Sequence, residues 1–367
     1  MALKNQTDPQ WAAGQLTEAI TRHVAPTSPV EVTDVTIPHS NGMSGETVLF
    51  DATWDGIKHA LVARVQPSGP AVFPRYDLQL EFEVMRAVGE HSAVPVPRML
   101  FSEPDSALLG APFIVMERVD GRIPSDDPPY TIEGWVLELT PEQQATLYDN
   151  ALSQVAAIHA VHIDAAGLGK LRDHPEAGFD GQLRFWENTF AWAANGEANP
   201  TVEQALAWIR EHRPTSSGSE VLNWGDARIG NIIFDDQLRA AAVLDWEMLS
   251  VSPRELDLGW WQFLQRYYTE GIGAPPLPGF STPEQTLARY SELAGVAVDP
   301  ELVAFYEVFA ATRLSILMHR AGNMMVEAGL LPPGAPMRLS NPASQTLARL
   351  LDLPAPEGET QSFVGNR

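Results

Sequence analysis

Residues 223–231 read Asn223-Trp224-Gly225-Asp226-Ala227-Arg228-Ile229-Gly230-Asn231, and beyond two short apolar runs the chain continues Leu244-Asp245-Trp246-Glu247. The runs, over 231–234 and 240–244, are separated by Asp235-Asp236 and read as a hairpin. Taken singly, Asp226 is a turn aspartate before a glycine-containing loop, and Asn231 a turn or left-handed residue. Taken together, an Asp, four residues, an Asn and a second Asp past a hairpin form the D-x-x-x-x-N plus metal-Asp layout of phosphoryl transfer. The spacing has a physical reason. The first carboxylate must reach a substrate hydroxyl, while Asn231 and Asp245 must converge on Mg²⁺ from adjacent strands. Mg²⁺ takes oxygen ligands and keeps several waters, so one amide and one carboxylate from the protein suffice.

Outward from this hairpin the pattern is mostly helical. Helices are predicted over 142–162, with Pro141 at the first turn, and over 182–194, 202–211, 256–269, 283–294, 301–327 and 342–351. The first third differs. An amphipathic helix over 10–23 ends in a Pro/Ser/Thr-rich break, and short β-rich runs follow over 30–65. Two of these, 47–54 and 57–65, flank Asp55-Gly56, the strongest short hairpin signal. A helix over 78–88 and strands near Phe101 and over 112–119 complete this part, and Asp120-Gly121 turns the chain. The expected organisation is α+β and two-lobed. It comprises a helical extension over 1–29, a small β-rich lobe over 30–121, a larger mainly helical lobe over 122–353 and a frayed tail over 354–367.

Composition limits the chemistry. The 367 residues carry a formal net charge of −23, against nucleic acid or an anionic membrane as the main partner. No cysteine is present, which excludes disulfides, zinc–thiolate sites and cysteine nucleophiles. The first twenty residues lack a signal-peptide pattern, and no run of about 18 apolar residues suggests a membrane span. The expectation is a soluble, cytoplasmic protein. Only Lys4, Lys58 and Lys170 are lysines, and Lys170 lacks the glycine spacing of a Walker loop. No G-x-G-x-x-G, H-E-x-x-H or G-x-S-x-G phrase occurs, which disfavours dehydrogenase, zincin and α/β-hydrolase readings.

The phrases W-G-D-A-R-I-G-N-I-I-F, V-L-D-W-E and P-R-E-L-D-L-G-W, with the looser L-E-F-E-V-M-R-A-V, V-P-V-P-R-M-L and A-P-F-I-V-M-E-R-V-D-G, cover roughly residues 40–265. Together they resemble the aminoglycoside phosphotransferase and choline kinase group of the protein-kinase-like fold. Within it the chain looks like the branch of the kinase-like domain fused to some acyl-CoA dehydrogenases, and its actinobacterial stand-alone relatives. The resemblance implies a bilobal kinase-like fold and transfer of the γ-phosphoryl group of ATP, with Mg²⁺, to a hydroxyl of a small molecule. Asp226 would be the catalytic base or hydroxyl-orienting residue, and Asn231 and Asp245 would hold Mg²⁺. Trp224 departs from the family's usual His before Gly-Asp; an indole there fills more volume and is expected to pack near Trp246. Glu247 is either a further carboxylate at the metal or a helix-start Glu paired with an Arg such as Arg254. Asp257 is expected to tie the catalytic loop through charge-assisted bonds.

A kinase-like site also needs a strand cation for the α- and β-phosphates, held by a helix Glu. Arg64, in Leu61-Val62-Ala63-Arg64, aligns with the usual Lys, with Glu81 as its helix partner; otherwise Arg64 is a surface strand residue. Lys58 shares its face but sits at the start of the strand, and Glu83 projects elsewhere. The segment 41–46 takes the place of the phosphate-covering loop, with Gly42, Ser44 and Gly45 against the nucleotide. Met116-Glu117-Arg118-Val119 matches the hinge, where adenine would meet the backbone of Glu117 and Val119.

Two features invite other readings. His159 and His162 lie three apart on a helix but lack a third ligand, so they read as core and surface histidines. The aromatic stripe over 185–192 reads as core, although such helices can wall an acceptor pocket. Aminoglycosides, macrolides, choline-like alcohols and hydroxylated acyl or steroid-like compounds all stay open as acceptors, and protein partners are not readable. The rival reading from another class is a catalytically idle nucleotide-binding module. Arg64 and Trp224 favour it; the retention of Asp226, Asn231 and Asp245 together opposes it.

Overall fold

Asp55 and Gly56 both adopt positive φ, +49° and +76°, as a two-residue type I′ hairpin requires. They join β2 (Glu46–Trp54) to β3 (Ile57–Val65) in unbroken antiparallel register from Glu46↔Val65 to Trp54↔Ile57. This hairpin lies in one of two compact units in the computed structural model, which describes residues 7–38, 45–214 and 218–360. The first unit runs to Glu90 and adds Val96–Asp120; the second takes His91–Pro95 and the chain from Gly121 onward.

In the first unit β1 (Glu31–Thr36), β4 (Met99–Glu103) and β5 (Phe113–Glu117) complete a sheet of order β1-β2-β3-β5-β4, whose pairings are all antiparallel. Alternation along β3 sends Leu61, Ala63 and Val65 to one face and Arg64 to the other. The apolar face is covered by α1 (Pro9–Val24), whose Ala12, Leu16, Ala19 and Ile20 join Phe50, Leu61 and Phe113 in one core. Asp8 caps this helix through the amides of Gln10 and Trp11, and Pro9 opens it. The helix expected as an N-terminal extension is therefore part of the sheet's core: its period-3.6 apolar stripe is buried against the sheet. On the opposite face α2 (Leu78–His91) brings its buried Glu81 toward Arg64.

The second unit is mainly helical: α3 (Pro141–His159), α4 (Gly178–Ala194), α5 (Pro200–Glu211), α6 (Glu255–Arg266), α7 (Pro283–Ala294), α8 (Pro300–Glu327) and α9 (Pro342–Leu350). All but α4 and α6 begin with proline behind a side-chain cap, and α3 and α7 close full capping boxes from Thr140 and Thr282. α8 has the length and composition of a membrane-crossing helix, which the sequence reading did not foresee, but most of it is buried in the protein. It packs against α4, α5, α6 and α9. Two small antiparallel sheets carry the motif: β6 (Glu220–Asn223) pairs with β9 (Ser250–Pro253), and β7 (Ile232–Phe234) with β8 (Ala240–Val243). The β6–β9 pair was not legible in the sequence, since four-residue strands carry too little alternation to register.

Candidate active site

The loop that follows β6 is held from behind. Asp257, fully buried on the first turn of α6, accepts the backbone N–H of Trp224 on Oδ2 (2.7 Å) and that of Gly225 on Oδ1 (2.8 Å). His159 Nε2 lies 3.1 Å from Oδ2, and its Nδ1 lies 2.6 Å from the Tyr290 hydroxyl. Asn223 ties β6 to this helix, accepting the Asp257 N–H at 3.3 Å and donating to the Ser252 carbonyl at 2.8 Å. Gly225 sits at φ +92°, and a Cβ there would fall 2.0 Å from the Met248 carbonyl oxygen, so no other residue fits. Trp224 reaches from this loop to the second hairpin strand, its indole N–H donating to the Leu244 carbonyl at 2.8 Å. Its ring packs at 42° to Trp246, centroids 6.3 Å apart, so this indole joins the Asp226 loop to the Asp245 segment.

These constraints present Asp226 in a dense donor set. Its Oδ1 accepts Trp260 Nε1–H at 2.7 Å, and its Oδ2 accepts Asn231 Nδ2–H at 2.7 Å and Arg228 Nε–H at 2.9 Å. Arg228 also pairs with Asp126, which accepts the Tyr268 hydroxyl at 2.8 Å. Burial works against the Arg228 charge, but Asp126 and Asp226 outweigh it and hold the guanidinium well above its usual pKa. Tyr268 is raised, by burial and then by Asp126, so its hydroxyl stays a donor. Arg313 of α8 is fully buried beneath the loop, donating to the Gly225 carbonyl at 3.2 Å; burial lowers it to about 10, with Asp257 and Asp226 opposing.

Asn231 and Asp245 come from the two sides of the β7–β8 hairpin, and the Leu244 N–H donates to the Asn231 carbonyl at 2.8 Å, which brings them side by side along the chain. Asp245 adopts φ +60°, a left-handed conformation that aspartate tolerates. The Asn231 amide nitrogen is committed to Asp226, on the carbonyl at 3.1 Å as well as on Oδ2, so only its Oδ1 can meet a cation. An amide oxygen and a carboxylate form a hard-oxygen donor set that fits Mg²⁺ and not a soft metal. Among the described residues no three His, Asp or Glu side chains gather into a metal-holding group. His159 is a buried partner of Asp257, and exposed His162 accepts the Ala165 N–H at 3.2 Å.

In the first unit Arg64 projects from β3 between Thr47 and Ile114 on the flanking strands, with Nη1 3.8 Å from Glu81 Oε2. Glu83 lies off this line and accepts the Gln79 amide at 3.0 Å. Lys58 pairs with Asp51 at 2.8 Å, and Arg118 binds the other Asp51 oxygen at 3.0 Å. Gly45 precedes β2, where a Cβ would lie 2.9 Å from the Val65 carbonyl oxygen; the bare backbone there lets the two strands meet. Gly42 and Ser44 lie outside the described residues. At the end of β5 the Glu117 N–H donates to the Arg98 carbonyl at 3.0 Å and the Arg118 N–H to that of Ala60 at 2.9 Å; Val119 follows the strand.

Sequence reasoning missed Arg228, Asp126, Trp260 and Arg313. Arg228 had a local signal, a cation two residues past Asp226. Trp260 closes the quoted phrase P-R-E-L-D-L-G-W, but nothing in it marks Asp226 as its neighbour, and Arg313 had no signal at all. The aromatic stripe of α4 divides: Trp186 is buried against Arg313, while Trp192 is exposed beside Arg320.

The sequence matches a model of the phosphotransferase enzyme family over residues 36–295. Among curated proteins, the probable acyl-CoA dehydrogenase IBR3 of Arabidopsis thaliana is 26% identical over 291 residues, which is 74% of this chain and 34% of that protein. The chain thus spans about a third of the length of that relative. Among solved structures, a Ralstonia eutropha protein named as a candidate aminoglycoside phosphotransferase superposes with a TM-score of 0.66 at 21% identity, over 92% of this chain and 98% of that one. A thermostable mutant of aminoglycoside phosphotransferase APH(4)-Ia, in complex with ADP and hygromycin B, gives 0.53 at 15% identity, over 91% and 97%. The loop held by Asp257, the Asp226–Asn231 pair and the match over 36–295 agree: this chain has the kinase-like α+β fold and belongs to the phosphotransferase enzyme family.

Proposed function

We propose that the protein transfers the γ-phosphoryl group of ATP to a hydroxyl of a small molecule. The observation that carries this reading is the Asp226 carboxylate, held in one orientation by the three donors Arg228, Asn231 and Trp260, in the loop that precedes the Asp245 hairpin. A mere nucleotide binder has no use for a base so constrained. The acceptor oxygen attacks the γ-phosphorus, the bond to the β-phosphate oxygen breaks with ADP leaving, and the hydroxyl proton passes to Asp226. Mg²⁺, held by Asn231 Oδ1 and Asp245, would neutralise the phosphate charge. Arg64, oriented by Glu81, would bind the α- and β-phosphates, and the backbone of Glu117 and Val119 the adenine. The reading includes a cytoplasmic setting with a supply of ATP, and a small-molecule partner in preference to nucleic acid or membrane, in keeping with a net charge of −23.

The test is ADP release and ³¹P NMR with Mg-ATP over a panel of aminoglycosides, macrolides, amino alcohols, hydroxyacyl compounds and sterols. Acceptor-dependent ADP release supports the reading. Mg-ATP binding without turnover on any acceptor, or on water, overturns it in favour of the idle module.

Arg64→Met is expected to raise KM for ATP about 10- to 100-fold, the loss of one charge-assisted phosphate contact, with a smaller change in kcat. Arg64→Lys should recover part of it, since the point charge survives without the fork. Equal KM values for Arg64→Met and wild type would remove Arg64 from the phosphate site.

A further inference from the structure

Trp260 lies one turn past Asp257 on α6 and is only 2% exposed, yet its indole N–H reaches across to Asp226 Oδ1 at 2.7 Å. A carboxylate offers about four lone-pair positions. Arg228 and Asn231 take the two on Oδ2, and Trp260 takes one on Oδ1. The remaining position is on the oxygen that Trp260 holds. Rotation of the carboxylate about its Cβ–Cγ bond would break all three bonds together.

The indole is itself fixed. The Arg313 guanidinium carbon lies 4.5 Å from the Trp260 ring centroid and 5.0 Å from that of Trp186, so the cation is stacked between two indoles. Arg313 has no carboxylate partner among the described residues, and its Nε and Nη1 have no hydrogen-bond partner there. Besides its bond to the Gly225 carbonyl, attraction to the ring faces holds it. A cation over an indole face draws electron density from the ring and makes its N–H a stronger donor. One line of contacts thus runs Trp186–Arg313–Trp260–Asp226.

We propose that Trp260 is a positioning residue for phosphoryl transfer: it sets the rotation of the Asp226 carboxylate so that Oδ1 keeps one lone pair for the attacking hydroxyl. Arg313, stacked on the indole, holds Trp260 in that orientation. The proposal rests on the reading of Asp226 as the base.

Trp260→Phe keeps the ring and removes the donor. With Mg-ATP and water as acceptor, ADP release should fall about 10- to 100-fold, with KM for ATP within about twofold of wild type. Added to Asp226→Asn, the same change should cost less than about twofold, because the group it acts through is already neutral. The Trp260 indole ¹H–¹⁵N resonance, identified by its loss in Trp260→Phe, should move in Asp226→Asn, since an amide is the weaker acceptor. Equal losses in both backgrounds would make Trp260 merely structural and overturn the proposal. An unmoved resonance would do the same by removing the bond. A wild type that releases no ADP on water or with any acceptor of the panel would overturn the phosphotransfer reading and the positioning role with it, while the resonance still decides whether the bond exists. Should Trp260→Phe fail to fold, Trp260→Leu replaces it in every arm.

Discussion

Asp226→Asn is expected to lower the turnover of Mg-ATP on the order of 10²- to 10⁴-fold, the usual contribution of a positioned general base. Mg-ATP affinity, read by calorimetric titration, should change little. The substitution is nearly isosteric, so the side chain keeps its place, although its NH2 cannot accept from the donor it faces. What disappears is the negative charge and the basic lone pair on Oδ1, which are needed when the hydroxyl gives up its proton and not when the nucleotide binds. The loss therefore falls on kcat and spares binding. A variant that keeps wild-type turnover would show that the hydroxyl is activated elsewhere, and Asp226 would revert to a turn aspartate.

Asp257→Ala carries the largest expected effect on stability, about 3–5 kcal/mol, as a buried acceptor with several donors is removed. It leaves the Trp224 and Gly225 N–H groups, and the facing nitrogen of His159, without their acceptor in a fully buried site. Neither amide can turn away: Gly225 is pinned against Met248, and Trp224 is fixed through Leu244. The midpoint of urea unfolding should fall with little change in slope. Turnover should fall beyond what stability explains, because the same amides set the path of the chain into Asp226. A loss below about 1 kcal/mol would mean that water or another oxygen replaces the carboxylate.

Much of the local structure was legible because neighbouring residues encode it. Asp55-Gly56 dictates a type I′ turn whatever surrounds it, and the register of β2 on β3 follows. Period-2 alternation then puts Arg64 on the face opposite Ala63 and Val65, and Glu81 is the helix residue that the structure brings to it. Asp257 was expected to tie the catalytic loop, and it does so through two backbone amides. The N-terminal helix misled because amphipathicity reports that a face is covered without saying by what. The 28-residue α8 was expected as a helix and not as a membrane span, and most of its long apolar run is buried inside the protein.

The sequence by itself picked out the candidate groups for the proposed chemistry. Asp226, Asn231 and Asp245 lie within twenty residues, on a loop and hairpin whose turns and strand pairing are local. Tertiary structure alone decided how the Asp226 carboxylate is held. Its donor Trp260 comes from α6, and Arg313, stacked on that indole, from α8; Asp126, on the far side of Arg228, comes from the connector before α3. A buried polar group takes its partners from whatever packs against it, and packing between segments 30 to 100 residues apart leaves no period or spacing in the chain.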